Sequence, residues 1–176
     1  MKEEGATASD VPARLDTRPP EERKHAAVLG WREWAGLPEL HVPKIKAKVD
    51  SGARTSALHA SNIELFRRRG TLWARFVIHP RQRSAKLEIH ATARVIEERT
   101  VRSSMGHATL RPVIRTTIAI GKESWPIEVT LINRDIMGFR MLLGREAIRG
   151  RYLIDPGRSY LTRERKPVKR RKSPAK

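Results

Sequence analysis

Short runs in which apolar and polar residues alternate constrain the fold of this chain more than any other feature. Residues 44–49 place lysines on one face and Ile45, Ala47 and Val49 on the other, which is typical of a half-buried strand. Many such strands predict an all-β protein. The other alternating apolar faces are Leu72, Ala74, Phe76 and Ile78; Leu87, Ile89, Ala91, Ala93 and Val95; Ile114, Thr116, Ile118 and Ile120; and Ile127, Val129 and Leu131.

Turns and one short helix complete this prediction. Residues 121–124, Gly-Lys-Glu-Ser, separate two of the alternating runs and predict a hairpin turn. Residues 145–149 predict a short helix after Gly144. Residues 152–154 predict a last strand, and Asp-Pro-Gly at 155–157 predicts the turn that follows it. The sequence therefore indicates a barrel or sandwich of short strands.

The chain divides into one candidate domain and two tails. Its 176 residues suit a single domain, which we expect to span residues 28–162. Residues 1–27 carry scattered charges and prolines but no apolar run of a signal peptide, so we expect a disordered lead-in. Residues 163–176 hold eight lysines and arginines against one glutamate, which predicts a disordered basic tail.

The composition narrows the partners and the compartment. The formal net charge is +18, and both the domain and the tail contribute to it. Such a surface attracts RNA, acidic peptides or anionic lipid, although a basic tail is also tolerated as a merely solvated end. The absence of cysteine excludes disulfides and Cys-based zinc sites. It also fits a reducing cytoplasm, and without a run of about 18 apolar residues we expect no membrane segment.

An aspartate stands at the end of the first alternating strand. Val49 closes that run, and Asp50, Ser51, Gly52 and Ala53 follow it. The strand end holds a carboxylate rigidly, the hydroxyl can brace the loop, and the glycine lets the backbone turn tightly. Asp50, Ser51 and Gly52 are therefore candidate catalytic residues. Asp-Ser-Gly is also an ordinary turn sequence, and that alternative stays open on the tripeptide alone.

A second element near the end of the domain gives this aspartate its context. Retropepsins and pepsins carry Asp-Thr/Ser-Gly-Ala after an apolar strand, and later two large apolar residues, a glycine and a short helix. Leu142, Leu143 and Gly144, followed by Arg145 and Glu146, resemble that second element in order and type. The resemblance implies that the first three residues lie beside the catalytic loop and support it. The wider separation than in viral enzymes predicts an insertion between the two elements.

Three stretches resemble one bacterial family more closely. Residues 46–60, 133–145 and 155–159 look like proteins named ATP-dependent zinc proteases or RimB-like proteins, which are grouped with retropepsin-like aspartic endopeptidases. The resemblance covers about residues 29–161. It implies an all-β, single-lobe acid-protease closed barrel with one short helix. It also implies an association with RimK-type ligases, which add glutamates to the C-terminus of a small-subunit ribosomal protein, and a role in trimming such tails.

The residues give little support for zinc or ATP in that family name. No His-Glu-x-x-His motif occurs, and no two of the six histidines stand at the spacing of helical zinc ligands. No Gly-x-x-x-x-Gly-Lys-Ser/Thr phosphate loop occurs either. We therefore expect no metal and no cofactor, while three histidines converging in the fold remain an alternative. Dependence on ATP would then come from a partner such as a ligase.

The number of Asp-Ser-Gly motifs predicts the assembly. The chain has five aspartates, but only Asp50 begins such a motif, and no internal repeat supplies a second. Acid-protease chemistry requires two carboxylates about 3 Å apart that share one proton. The second carboxylate must then come from another copy. We therefore expect a symmetric homodimer with Asp50 and its mate at the two-fold axis, titrating as a pair.

Substrate recognition is predicted next to the catalytic loop, at Ala53 and Arg54. Viral retropepsins carry an acid where this chain has Arg54. A guanidinium there can bind a substrate carboxylate with two hydrogen bonds, which suits a glutamate-rich peptide. The alternative is a structural ion pair of Arg54 with Glu146 or Asp135.

Three further features keep two interpretations each. Residues 133–135, Asn-Arg-Asp, indicate either a turn or a part of the site. Residues 103–107 predict either a flap over the site or an ordinary loop. Trp31 and Trp34 indicate core or dimer contacts rather than ligand stacking.

Two other functions compete with an aspartic endopeptidase that acts on acidic tails. One is a non-enzymatic module that binds RNA or the ribosome through the basic tail and face, because a fold does not fix a function. The other is a metal-dependent peptidase.

Overall fold

The computed structural model describes residues 27–82, 86–102, 106, 108–133 and 138–162. These residues form strands, one short α-helix and a 3-10 turn at Pro38–Leu40, so the predicted all-β class is confirmed. In chain order the elements are β1 (Ala27–Gly30), β2 (Arg32–Leu37), β3 (Val42–Asp50), β4 (Ser56–His59), β5 (Ser61–Arg68), β6 (Thr71–Ile78), β7 (Ile89–Arg102), β8 (Ala108–Ile120), β9 (Glu123–Ile132), β10 (Met141–Gly144), α1 (Arg145–Ile148) and β11 (Tyr152–Asp155).

Nine strands form one sheet in the order β2-β3-β10-β4-β9-β8-β7-β6-β5. A further pairing of Gly36 with Ala119 joins β2 to β8, so six of these strands form a ring. β5 and β6 extend from β7 as a hairpin outside that ring.

The core is made mainly of aliphatic side chains, with Phe76, Trp125 and Tyr152 as its aromatic members. Its alternation follows the predicted faces, because every second residue of a strand points inward. Removing these side chains from water supplies the main driving force for folding. The largest fully buried members are Phe76, Leu29, Leu37, Ile45, Leu58, Ile78, Ile114, Ile118, Ile120, Leu131, Met141 and Leu143.

Leu87 was predicted on the apolar face of a strand, and this prediction is wrong. β7 begins at Ile89, which pairs with Ile78 at the last position of β6. Beyond that pair Leu87 has no strand opposite it, and it is 39% exposed. The strand ends where its partner ends, which the alternation alone does not show.

β4 gave no alternating signal, and the structure explains why. All four residues of β4 are buried, so both faces of this strand are covered, and its two edges pair in parallel with β9 and antiparallel with β10. A strand covered on both faces has no polar face, so its sequence does not alternate.

The end of the described chain is tied to β2 by a buried carboxylate. Glu33 is 1% exposed, and its oxygens accept hydrogen bonds from the backbone N–H groups of Gly30 (2.7 Å) and Leu161 (2.8 Å). The Thr162 hydroxyl donates a third at 2.9 Å. A buried carboxylate is tolerated when donors surround it in this way.

In the described ranges, no helix has the length and apolar character needed to cross a membrane.

Candidate active site

Asp50 is the last residue of β3 and begins a tight loop. Its Oδ1 atom accepts a hydrogen bond from the backbone N–H of Ala53 at 3.2 Å. The same N–H lies 3.2 Å from the Asp50 carbonyl oxygen, which closes the turn. Asp50 is half-buried, whereas Ser51 and Gly52 are exposed at the apex. The loop therefore holds a carboxylate in a fixed position at an open surface.

β10 lies directly beside this loop, in parallel with β3. Leu143 is opposite Val49, and Gly144 is opposite Asp50. Leu143 is fully buried and Leu142 half-buried. The structure thus places Leu142, Leu143 and Gly144 beside the strand that carries Asp50, where the resemblance to retropepsins puts them. Their support of a catalytic loop stays a prediction.

The first turn of α1 satisfies the backbone of the loop. The N–H of Arg145 donates to the carbonyl of Ala53 at 2.9 Å, and the N–H of Glu146 donates to that of Arg54 at 3.1 Å. The Arg145 guanidinium reaches the carbonyl of Gly52 at 3.3 Å. Because free N–H groups at a helix start need acceptors and loop carbonyls need donors, the two segments complement each other.

Arg54 projects from the end of the loop into solvent. Its side chain is 76% exposed, and its Nε atom lies 3.9 Å from Glu146 Oε1. Glu146 also pairs with Arg149 at 3.1 Å. The alternative ion pair with Glu146 is therefore present, but at a long distance and shared. Exposed pairs of this kind contribute about 0–1 kcal/mol, so they leave the Arg54 guanidinium accessible to a ligand.

Arg99 also contacts the segment that follows the Asp50 loop, and the sequence offered no reason to select this residue. Arg99 on β7 donates to the Thr55 hydroxyl and to Glu128 on β9, both at 2.9 Å. It also pairs with Glu97. The hydrogen bond with Glu128 is the largest influence on Arg99 and raises its pKa. Arg99 on β7 and Glu128 on β9 are brought together across β8. No local sequence pattern indicates this contact.

The match to known families decides what kind of domain this is. The sequence model described as "RimB-like: Retropepsin-like aspartic endopeptidase RimB" matches residues 28–165. The chain belongs to this family. The matched region includes every predicted site residue from Asp50 to Gly144. The family identifies an aspartic-peptidase type of domain, and its description mentions neither zinc nor ATP.

Curated relatives of this family member carry a different name. "Probable alpha-L-glutamate ligase" proteins of Shewanella pealeana, Shewanella halifaxensis and Parasynechococcus marenigrum are 46%, 48% and 51% identical to it over 138, 133 and 133 residues. These regions cover 78%, 76% and 76% of the chain, but only 30%, 29% and 28% of the relatives. The chain therefore spans less than a third of the length of these relatives.

A solved structure shares the fold. The crystal structure of Lpg0085 from Legionella pneumophila, a protein described as of unknown function, superposes with a TM-score of 0.65 at 26% identity. The match covers 79% of this chain and all of the other. This similarity concerns the fold and not the activity.

The four described histidines of this family member differ in their surroundings. His59 is buried in β4, and His41 and His90 are exposed. His79 is half-buried beside the Ser61 hydroxyl, with 3.1 Å between Nε2 and Oγ. Among the residues with described positions, no group of three or more His, Cys, Asp or Glu side chains is arranged to hold a metal ion. His25 and His107 are outside those residues.

Several predicted features fall wholly or partly outside the described residues. Asp135 is one of them, so its pairing with Arg54 stays a prediction. Most of the candidate flap at 103–107 is another, although β7 and β8 pair as far as Arg102 and Ala108 on either side of it. Trp31 and Trp34 are both half-buried and stand outside the core cluster. Their role as dimer contacts stays a prediction.

Proposed function

We propose that the chain is an aspartic endopeptidase that works as a homodimer, with Asp50 of each copy supplying one catalytic carboxylate. The observation that carries the proposal is the pairing of Gly144 with Asp50, which fixes the carboxylate at the open end of β3. Family membership supports the reaction class.

The chemistry requires two neighbouring carboxylates. One acts as a base toward a water molecule, and the other donates its proton to the scissile carbonyl, so the pair must share one proton. In the part of the chain that is described, the Asp50 carboxylate hydrogen bonds only to the N–H of Ala53. Its remaining acceptor positions are therefore available to water and to a second carboxylic acid. The exposed apex at Ser51 and Gly52 gives a second copy access to this carboxylate.

The substrate that we propose is a glutamate-rich C-terminal tail made by a RimK-type ligase. In the relatives, a region similar to this chain is part of a longer protein named as a probable alpha-L-glutamate ligase. A peptidase linked to such an enzyme would meet the product of that ligation. The net charge of +18 and the exposed Arg54 guanidinium suit an acidic peptide. We place the reaction in the cytoplasm, without a cofactor in the peptidase itself.

The catalytic role is tested by Asp50→Asn, which keeps the size of the side chain and removes the acid. We expect cleavage of a peptide ending in glutamates to fall by about a thousandfold. Asp155→Asn is the matched control, because Asp155 is the last residue of β11 and its carboxylate is bonded to Gly157 and Arg158, and it should retain activity. Circular dichroism should show both variants folded. If Asp50→Asn cleaves the peptide as fast as the wild type does, the aspartic mechanism is overturned. If a chelator then abolishes this cleavage, the chain is a metal-dependent peptidase.

The homodimer is tested by mixing. Adding inactive Asp50→Asn protein to a fixed amount of wild type should lower activity, since mixed dimers have only one competent carboxylate. Sedimentation should show the wild type associating over the same concentrations. Activity independent of the added variant, with a monomer throughout, would contradict the shared site.

A further inference from the structure

The hairpin of β5 and β6 carries an outer face that the proposed active site does not use. Residues directly opposite each other in antiparallel strands share a face. Phe66 on β5 is opposite Trp73 on β6, and Trp73 is opposite Arg94 on β7. The neighbouring residues Ala74 and Phe76 are buried. Strand alternation therefore places Trp73, and with it Phe66 and Arg94, on the face away from Ala74.

Cations surround the two aromatic residues on this face. The Arg75 guanidinium lies over the Phe66 ring, 5.4 Å from its centroid, and Arg68 is exposed opposite Thr71. Arg94 is exposed beside Trp73. Phe66 and Trp73 are each half-buried, so part of each ring is accessible. Glu64 also lies on this face, and it pairs with Arg75 at 3.7 Å.

The turn of the hairpin adds one more cation next to this face. Arg69 is exposed. Arg69 and Gly70 have φ angles of 49° and 78°, and two consecutive positive φ values are typical of a tight two-residue hairpin turn. The turn holds Arg69 next to Arg68 at the end of the sheet.

We propose that this outer face, defined by Phe66, Arg68, Trp73, Arg75 and Arg94, binds single-stranded nucleic acid. Bases stack on exposed aromatic rings of a sheet, and guanidinium groups contact the phosphates or stack as well. The carboxylates of a glutamate-rich peptide would also bind the arginines, but such a peptide has no aromatic groups that stack on the rings of Phe66 and Trp73. The combination of rings and arginines therefore favours nucleic acid, and the overall charge of +18 favours its approach.

The test measures binding of fluorescein-labelled oligouridylate and oligothymidylate to the full chain by anisotropy. Phe66→Leu with Trp73→Leu keeps the charge and the apolar character, and it should weaken binding by about tenfold or more, because stacking is lost. Arg68→Gln with Arg94→Gln should weaken binding to a similar extent and reduce its salt dependence. Equal binding of both oligomers is expected from stacking and phosphate contacts, and a preference for oligouridylate would add a role for the ribose hydroxyl.

A matched control removes the same charge elsewhere. Lys44→Gln with Lys48→Gln alters exposed lysines of β3 and should change binding by less than the arginine pair does. Equal weakening by both charge variants, with no effect of the leucine pair, would overturn the proposal in favour of diffuse attraction. Poly-L-glutamate binding that depends on the arginines but not on the rings, with oligonucleotides unbound, would overturn it in favour of an acidic peptide. Thermal unfolding of each variant separates lost binding from lost structure.

Discussion

A Cβ atom built on Gly144 would lie 2.5 Å from the carbonyl carbon of Thr55 and 2.6 Å from its oxygen. The contact is between backbone segments, so no side chain can move to relieve it. The Gly144 N–H also donates to the Ser56 hydroxyl at 3.1 Å. Glycine at this position therefore allows β10 to approach the segment that follows the Asp50 loop.

Gly144→Ala should destabilise the protein. The added methyl group must push apart two backbone segments, and we expect a loss of about 3 kcal/mol, at the upper end of overpacking effects. Denaturant unfolding measures it. Gly138→Ala is the matched control, because no atom of the described residues, apart from its chain neighbours, lies within 4 Å of the corresponding Cβ position. Equal stability of the two variants would show that the loop yields easily.

Arg54→Gln should change substrate preference rather than fold. If Arg54 binds a substrate carboxylate, KM for peptides ending in glutamate should rise by about tenfold, the loss expected for a charge-assisted hydrogen bond. KM for neutral peptides should stay nearly constant. Arg149→Gln removes the other partner of Glu146 and serves as control. A similar change in both variants would indicate that Arg54 acts only through its ion pair.

Glu33→Ala should loosen the end of the domain. The substitution leaves the N–H groups of Gly30 and Leu161 without their buried acceptor, and we expect a loss of about 3 kcal/mol in the free energy of unfolding. Glu33→Gln keeps one acceptor oxygen and should lose less. Amide hydrogen exchange at residues 158–162 locates the effect. Unchanged protection there in Glu33→Ala would contradict the proposed anchoring.

Tyr152 should make stability fall at alkaline pH. Burial, together with its hydrogen bond to Glu123 at 2.9 Å, raises the pKa of Tyr152 well above its usual value. The folded protein then keeps the phenolic proton where the unfolded chain has lost it. Its contribution is complete below the ordinary tyrosine pKa of about 10 and is lost as pH rises toward the raised value.

Tyr152→Phe checks this dependence. Urea unfolding at a series of alkaline pH values should show a smaller decline for the variant than for the wild type. Identical declines would mean that other groups cause it. Tyr160→Phe, which changes a tyrosine that stacks on Trp34, controls for the removal of a phenol.

The sequence alone determined the all-β class and most of the strands around the core. A strand repeats every two residues, so the buried faces at Ile45, Phe76 and Ile118 are visible in the alternation. Both elements of the candidate site were also visible, because the Asp50 loop and the segment at Gly144 are each continuous in the sequence.

Only the tertiary structure decided how those segments meet. Alternation shows which face of a strand is buried, but it does not name the neighbouring strand, so the position of β10 between β3 and β4 had no local signal. For the same reason the sequence carried no sign of the contact of Arg99 with Thr55 or of the anchoring of the chain end by Glu33. Each joins residues far apart in sequence, through a register that long-range packing sets.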